Sequence, residues 1–537
     1  MKKYILFVSV LIPLIMISCK KSVVEGSEIY PLAPPPVIEF LPNRPVPSTA
    51  SGGEVVKISV EGLKGKDFTA YVSSVKAEVV ETTDSYVTLK VPQDAITGSV
   101  SVLVNNQQYF GPTLQIRGEV AVDPNFDVFN YRATLGSING ILARDASTYL
   151  IYGGFQDYQG KQSETAPIRG MVLINNDGAY ASTTSNDRFS LGIPRFSNVK
   201  HIVKLASGSY LIAGGFSTYS NKPVNGVVRV NSIGYLDTVK VEVVNPDPVN
   251  KPQDGTEIVS TLNGGVGGAI ARVFVTTDDK YIVTGNFQNF VSTYYPMSQK
   301  GAPYLDRIDA PSIVKMYNTG DFDSTFNYDF ASKKGSGANG FVNDAAELPN
   351  DEVILVGVFT AFQGQSAGRI VKINPTNGKI SSSFNAGTGA DGEIRRITFN
   401  PAVANRYVIS GTFRKYNGVP VNGVAIIDGN GNLITTFNAK EFSGGLINYA
   451  GLLKNGNVVV SGSFTHYGGK VRPGLVILNS SGAMIDKYNK FGLFRGQIND
   501  MVETTSSGVI PALFLVGSFD RYDNIAVSNI VKIIFTN

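Results

Sequence analysis

Tryptophan is absent from the 537 residues, histidine occurs twice and cysteine once. A single cysteine excludes an intrachain disulfide, and two histidines leave little material for His-ligated metal sites or His-based catalysis. An excess of one charge is missing too. Lys and Arg total 47 against 43 Asp and Glu, giving a formal net charge of +4, and charged residues are 17% of the chain. That balance excludes the basic footprint of a nucleic-acid-binding domain. There is no phosphate-binding P-loop and no His-Glu-x-x-His. What the chain does have is 57 Gly, 26 Pro and 43% hydrophobic residues. This composition describes a globular, turn-rich, all-β protein long enough for two or three domains.

The long apolar run lies at the N-terminus. Lys2 and Lys3 precede Tyr4 to Ile17, interrupted only by Ser9 and Pro13. The run is shorter than the ~20 residues of a spanning helix and has the order of a secretory signal. It ends at Met16-Ile17-Ser18-Cys19, which resembles a bacterial lipobox. The resemblance implies a signal peptide over residues 1–18, cleavage after Ser18 and lipidation of Cys19. Loss of Lys2 and Lys3 takes the net charge from +4 to +2. Each buried CH₂ of the lipid contributes about 0.8 kcal/mol, so several acyl chains hold the protein to the membrane. Residues 19–35, with Pro31, Pro34 and Pro35 and then Pro36, read as an extended tether with a reach of roughly 40–50 Å.

Short alternating strands follow over 36–117. Val37-Ile38-Glu39-Phe40-Leu41-Pro42, Val55 to Gly62, Tyr86 to Pro92 and Gly98 to Val104 show period-2 patterning between turn residues. The P-x-I-x-F-x-P opening and the V-P…G-x-V-x-V ending resemble the IPT/TIG immunoglobulin-like domain. The resemblance implies a small sandwich that serves as a spacer or carries a ligand site.

From residue 118 to 537 one unit repeats. Gly153-Gly154-Phe155, Gly214-Gly215-Phe216, Gly285-Asn286-Phe287, Gly357-Val358-Phe359, Gly411-Thr412-Phe413, Gly462-Ser463-Phe464 and Gly517-Ser518-Phe519 are separated by 51 to 72 residues. Each follows an apolar strand and precedes a second one, then a turn and a short outer segment such as Asp323 to Asn327. Four-stranded units at this spacing indicate a β-propeller, here with seven blades. The pattern resembles the delta-60-type propeller repeat. The last unit lacks its outer segment, and Asp123-Pro124-Asn125-Phe126-Asp127-Val128-Phe129 resembles the missing piece. An N-terminal strand is therefore expected to close the ring and remove an open edge. The Phe of each Gly-x-Phe is expected between blades. The aromatic three residues on (Tyr158, Tyr219, Phe290, Phe362, Tyr416, Tyr467, Tyr522) either braces a hairpin or offers a stacking platform.

Two places are candidate binding sites. Aligning the inner strands puts Asn139, Lys200, Ala271, Asn343, Arg395, Asn448 and Asn499 at one position. This ring either hydrogen-bonds a ligand at the channel mouth or lines a water-filled channel. Long insertions, Val241 to Gly265 and Val291 to Pro311, emerge with the tyrosine-bearing turns on one face. The second carries Tyr294, Tyr295, Met297 and Tyr304, an adaptable set suited to binding. His201 and His466 read as ordinary strand or loop residues, and no metal or cofactor is expected. Acidic residues are scattered, and Asp321 and Asp323 read as turn residues.

Lipobox, tether, IPT/TIG module and propeller together resemble the accessory outer-membrane lipoproteins of Bacteroidetes that work beside SusC/SusD-type importers. The resemblance implies a non-catalytic, lipid-anchored protein that captures an oligopeptide or glycan before import. Lys20 and Lys21 follow Cys19, and acidic residues come only at Glu25 and Glu28. Surface export often uses acidic residues directly after the cysteine, and this chain departs from that pattern; the resemblance as a whole implies the cell surface, and the departure keeps the periplasmic face open. Two other readings remain: a docking subunit of the transporter with no ligand of its own, and a hydrolase with dispersed carboxylates. Cys19→Ser is expected to move the protein from the membrane fraction to the soluble fraction, as read by fractionation and intact-mass spectrometry.

Overall fold

The computed structural model describes residues 38–126, 133–134, 136–160, 168–181 and 188–536. The signal segment, Cys19, the tether, Val37 and the stretch Asp127 to Phe129 lie outside the described residues. Helix among the described residues is confined to the four-residue Phe189–Gly192 and three short 3-10 turns. None is long and apolar enough to cross a membrane.

Residues 38–116 form one path of eight strands with their own core. Val55–Glu61, Tyr86–Lys90 and Gly98–Val104 match the sequence expectation. Phe68–Val72, Val75–Thr82 and Gln107–Ile116 were not legible as strands. Val75–Thr82 buries only Ala77, so its alternation is blurred. Inward residues such as Val56, Ile58, Val60, Val87 and Leu89 are fully buried, as period-2 patterning requires.

Seven units of three antiparallel strands follow among the described residues. Unit 1 is Ile138–Ala143, Thr148–Gly153 and Met171–Asn175. Unit 2 is Asn198–Lys204, Tyr210–Gly215 and Val227–Val230. Unit 3 is Gly264–Val275, Tyr281–Thr293 and Ile313–Met316. Unit 4 is Val342–Glu347, Val353–Gly357 and Ile370–Ile373. Unit 5 is Ile394–Phe399, Tyr407–Gly411 and Val424–Ile427. Unit 6 is Ile447–Leu452, Val458–Gly462 and Leu475–Leu478. Unit 7 is Arg495–Ser506, Ile510–Tyr522 and Ile530–Phe535. The first strand of each unit is the inner one. Inner strands touch in sequence, and the seventh returns to the first through Asn499 Nδ2, which donates to Ile138 O at 2.8 Å.

The repeat motif now has a physical cause. A Cβ added to the first glycine of each Gly-x-Phe would stand 2.0–2.3 Å from an inner-strand carbonyl, for example Phe341 O at Gly357 and Gln497 O at Gly517. Only glycine lets the middle strand come this close. The seven Phe are buried between units. The second aromatics are buried as well, and Tyr158, Tyr219, Tyr416 and Tyr467 each donate a hydroxyl hydrogen bond to the carbonyl of Gly178, Gly234, Gly431 and Gly482. These rings brace the hairpin to the following turn and are not platforms open to solvent.

The last unit is completed from the front of the ring. Val120–Val122 pairs antiparallel with Ile533 to Phe535. In units 1 to 6 the third strand instead meets its own following segment, as at Met316 with Phe322. Asp123 and Phe126 reproduce the turn of Asp323 and Phe326: Asn125 N donates to Asp123 Oδ1 at 2.9 Å, and Thr325 N to Asp323 Oδ1 at 3.1 Å. Asp123 also forms a fully buried ion pair with Lys532 at 3.1 Å.

The eight-stranded module is fixed to units 6 and 7. Lys490 Nζ donates to Gln93 O at 2.8 Å, Asn524 Nδ2 to Thr97 O at 3.2 Å, and Lys470 pairs with Asp94. Asp123→Ala is expected to strand Lys532 in the core and cost about 3–5 kcal/mol, the usual loss when one partner of a buried pair is removed. Urea unfolding measures this, and an unchanged midpoint would sink the closing role of this segment.

Candidate functional site: the axial channel

Each inner strand carries a β-bulge at the same place. Its register with the middle strand skips from Ile138 to Gly140, Val199 to His201, Ile270 to Arg272, Val342 to Asp344, Ile394 to Arg396, Ile447 to Tyr449 and Ile498 to Asp500. The skipped residues are Asn139, Lys200, Ala271, Asn343, Arg395, Asn448 and Asn499, the ring read from the sequence. A bulge bends the strand and re-aims side chains that would otherwise alternate.

Much of this ring joins one unit to the next. Asn139 Nδ2 donates to Val199 O at 2.7 Å, and Asn343 Nδ2 to Ile394 O at 3.0 Å. Arg395 Nη1 donates to Asn448 Oδ1 at 2.7 Å and lies 3.5 Å from Ile447 O. With Asn499 on Ile138 O, each of these carbonyls belongs to the residue just before the neighbour's own bulge. Lys200 is different: it is exposed and holds no hydrogen bond or ion pair among the described residues. Enclosure by the channel walls lowers its pKa, and Arg396 and Arg272 lower it further.

The residue after each bulge builds a polar plug across the channel. Arg272 Nε pairs with Asp344 Oδ1 at 2.6 Å, and Arg396 Nη1 lies 3.8 Å from Asp344 Oδ2. Burial acts to raise the Asp344 pKa, but Arg272, Arg396 and the Ile397 N–H outweigh it and hold the group ionised. Asp500 accepts N–H bonds from Ile141 at 3.1 Å and Met501 at 2.9 Å. Burial dominates there and pushes its carboxyl above the usual range. The His201 ring meets Val273 O at 3.0 Å, and burial followed by Arg272 takes its pKa down to about 3, so it is neutral at physiological pH. His201 stands in the inner strand Asn198–Lys204, a strand residue as expected, and its ring lies at the channel. In unit 1 the equivalent residue is Gly140, where a Cβ would lie 2.2 Å from the Tyr152 hydroxyl.

Beyond the plug, at the end where inner strands finish, opens a cavity of about 430 Å³. Tyr152, Tyr449, Arg272 and Asp500 form its polar floor, with Phe274, Phe399 and Met501 in its walls. None of the seven ring residues lines it. The sequence signal was there, one position after the ring, but the seven residue types differ and show no common chemistry when aligned. Beside this cavity, Glu347 lines a second one of about 290 Å³, and its Oε1 is buried without a hydrogen-bond partner among the described residues.

At the opposite end, where inner strands begin, the insertions fold onto each other. Thr238–Glu242 pairs with Thr256–Ser260, and Leu305–Asp309 pairs with Asn289 to Thr293. Val244 N donates to Ser298 O at 2.8 Å, Lys300 pairs with Asp254 at 2.9 Å, and Gly301 N donates to Glu257 Oε2 at 3.1 Å. Tyr294 and Tyr304 stand edge to face, 6.5 Å apart, and each is about half exposed. Tyr295 instead turns into a cavity of about 50 Å³, where burial, then Glu257 and Asp321, raise its pKa to about 12. The ring and the tyrosines are therefore two groups at one end of the channel.

A family model described as "Domain of unknown function (DUF5122) beta-propeller" matches residues 205–238, 348–384 and 453–484, which fall in units 2, 4 and 6. With the closed ring of units, this makes the chain an all-β protein of the β-propeller type. No curated protein matches it. Among solved structures, an auxiliary nutrient binding protein from Bacteroides thetaiotaomicron aligns at 11% identity over 92% of this chain and 99% of its own, with a TM-score of 0.31. Another from Bacteroides ovatus aligns at 12% over 91% and 96%, with a TM-score of 0.28. The WD40 beta propeller domain of Doa1 aligns at 11% over 75% and 96%, with a TM-score of 0.33. Overlaps this loose reflect shared β-structure and nothing about activity.

Burial, then Asp351, raises the Glu347 pKa from 4.5 to about 7. The folded state therefore holds this proton more tightly than the unfolded chain. The stability it contributes is complete below pH 4.5 and is lost as pH rises through 7. Glu347→Gln is expected to stabilise the protein by about 1–3 kcal/mol at pH 8 and to change little at pH 4. Paired denaturation curves at the two pH values measure this.

Proposed function

We propose that this protein is a lipid-anchored outer-membrane binding protein that captures an oligomeric nutrient as accessory to a SusC/SusD-type importer. The chain reads as an Ig-like spacer followed by a seven-bladed propeller, tethered through Cys19 and displayed at the cell surface. The nutrient is an oligopeptide or a glycan, taken at the end of the channel that bears the insertions. One observation carries this reading: two insertions, one on each side of the long hairpin of unit 3, pack into one structure beside the end where Lys200 and the Asn ring stand. Rigid scaffolds elaborate one face in this way when loops carry function. The partly exposed pair Tyr294 and Tyr304 gives that face amphipathic contact area at small entropic cost.

A non-catalytic role fits the carboxylates at the axis. Asp344 spends its oxygens on Arg272 and the Ile397 N–H, and Asp500 on two backbone N–H groups. Groups held this way brace a channel better than they exchange protons. Mild-detergent affinity purification from the native membrane, followed by mass spectrometry, tests the proposal. Stoichiometric recovery of a SusC/SusD-type importer is the expected result. Recovery of the lipoprotein alone would sink the accessory role.

A further inference from the structure

Of the plug's two carboxylates, Asp344 bridges Arg272, and Asp500 lines the 430 Å³ cavity and accepts from the Ile141 and Met501 N–H groups, which leaves Arg396 without a close ion-pair partner among the described residues. Arg272 and Asp344 bridge at 2.6 Å and cancel. Arg396 is 3.8 Å from that same carboxylate, and its side chain keeps 26% of its surface exposed. Arg396 is not among the residues lining the 430 Å³ cavity, and its Nη2 lies 3.5 Å from Oδ1 of Asn499, a ring residue on the insertion side. Lys200 stands on the same side without a partner among the described residues, one residue from His201, whose ring meets the backbone of Val273 next to Arg272. Arg395 adds nothing to the excess, because Glu393 holds it at 2.9 Å. Two cations in a walled channel focus field and draw an anion. At the insertion end of units 4 and 6, which flank the unit of Arg396, Phe341 and Leu446 stand two residues before the ring positions Asn343 and Asn448 and are 64% and 48% exposed.

We propose that this mouth binds the C-terminal carboxylate of an oligopeptide, with Lys200 and Arg396 on the carboxylate and the last apolar side chain against Phe341 and Leu446. The inference rests on the binding role proposed above and narrows its ligand. Apolar residues beside the cations favour a peptide end over an acidic sugar, whose ring would set hydroxyls against them.

The test uses the detergent-solubilised full chain and fluorescence anisotropy. The probes are N-acetylated tetrapeptides ending in Leu or Phe, with a free carboxylate or a C-terminal amide, and galacturonate oligomers. The free acids are expected to bind about tenfold or more tighter than the amides, the scale of a charge-assisted hydrogen bond. Lys200→Met should bring the two within about twofold, and Phe341→Ala should weaken both. Both residues are exposed, and an unchanged melting curve shows that the variants are folded. Equal binding of acids and amides, or discrimination that survives Lys200→Met, would overturn the carboxylate site and leave a binding role standing. Galacturonate binding that depends on Lys200, without peptide binding, would overturn the peptide assignment. Binding of no probe, together with failure to recover an importer, would remove both this inference and the function beneath it.

Discussion

The rest of the ring depends on a bulge repeated in every inner strand. In a regular strand, consecutive side chains face opposite ways. Here two consecutive residues both serve the axis. The first reaches sideways to the next unit, as Asn139, Asn343 and Asn499 do through neighbouring carbonyls. The second enters the plug, as Arg272, Asp344 and Asp500 do. One irregularity thus supplies both the joint between units and the chemistry at the centre. It also sets a constraint on the middle strand, which must lie so close that only the glycine of Gly-x-Phe fits.

Sequence made the periodic part legible. Gly-x-Phe marked every unit, and the position of Asn139 and its six counterparts fell on the bulge without error. The closing segment was visible because Asp123 to Phe126 repeats the chemistry of Asp323 to Phe326. The plug was not visible. Its members are His201, Arg272, Asp344, Arg396, Tyr449 and Asp500, with a glycine at residue 140, and nothing in such a mixed column announces a common site. Arg272 and Asp344 meet only because the ring brings successive units side by side. The aromatic brace was half legible. Tyr158 and its counterparts were seen, but their direction rests on a carbonyl in a turn 15 to 20 residues downstream.

The two ends of the channel differ in kind. One carries the insertions, the eight-stranded module and the unpaired Lys200. The other is built from short connections and opens on an apolar-walled cavity. The plug between them holds two arginines and two carboxylates whose oxygens are engaged by N–H donors. A molecule entering from either side therefore meets these fixed polar groups at the level of the bulges.

Closure by Val120–Val122 has a consequence for biogenesis. The chain emerges with its N-terminal side first, and the partner strand Ile530–Phe535 is made about 400 residues after Val120–Val122. Until that strand arrives, the first segment has no mate and Asp123 no lysine. The ring therefore cannot be completed unit by unit during synthesis; its last join waits for the third strand of unit 7. In a chain threaded across a membrane, that delay keeps the ring open until all seven units have passed through.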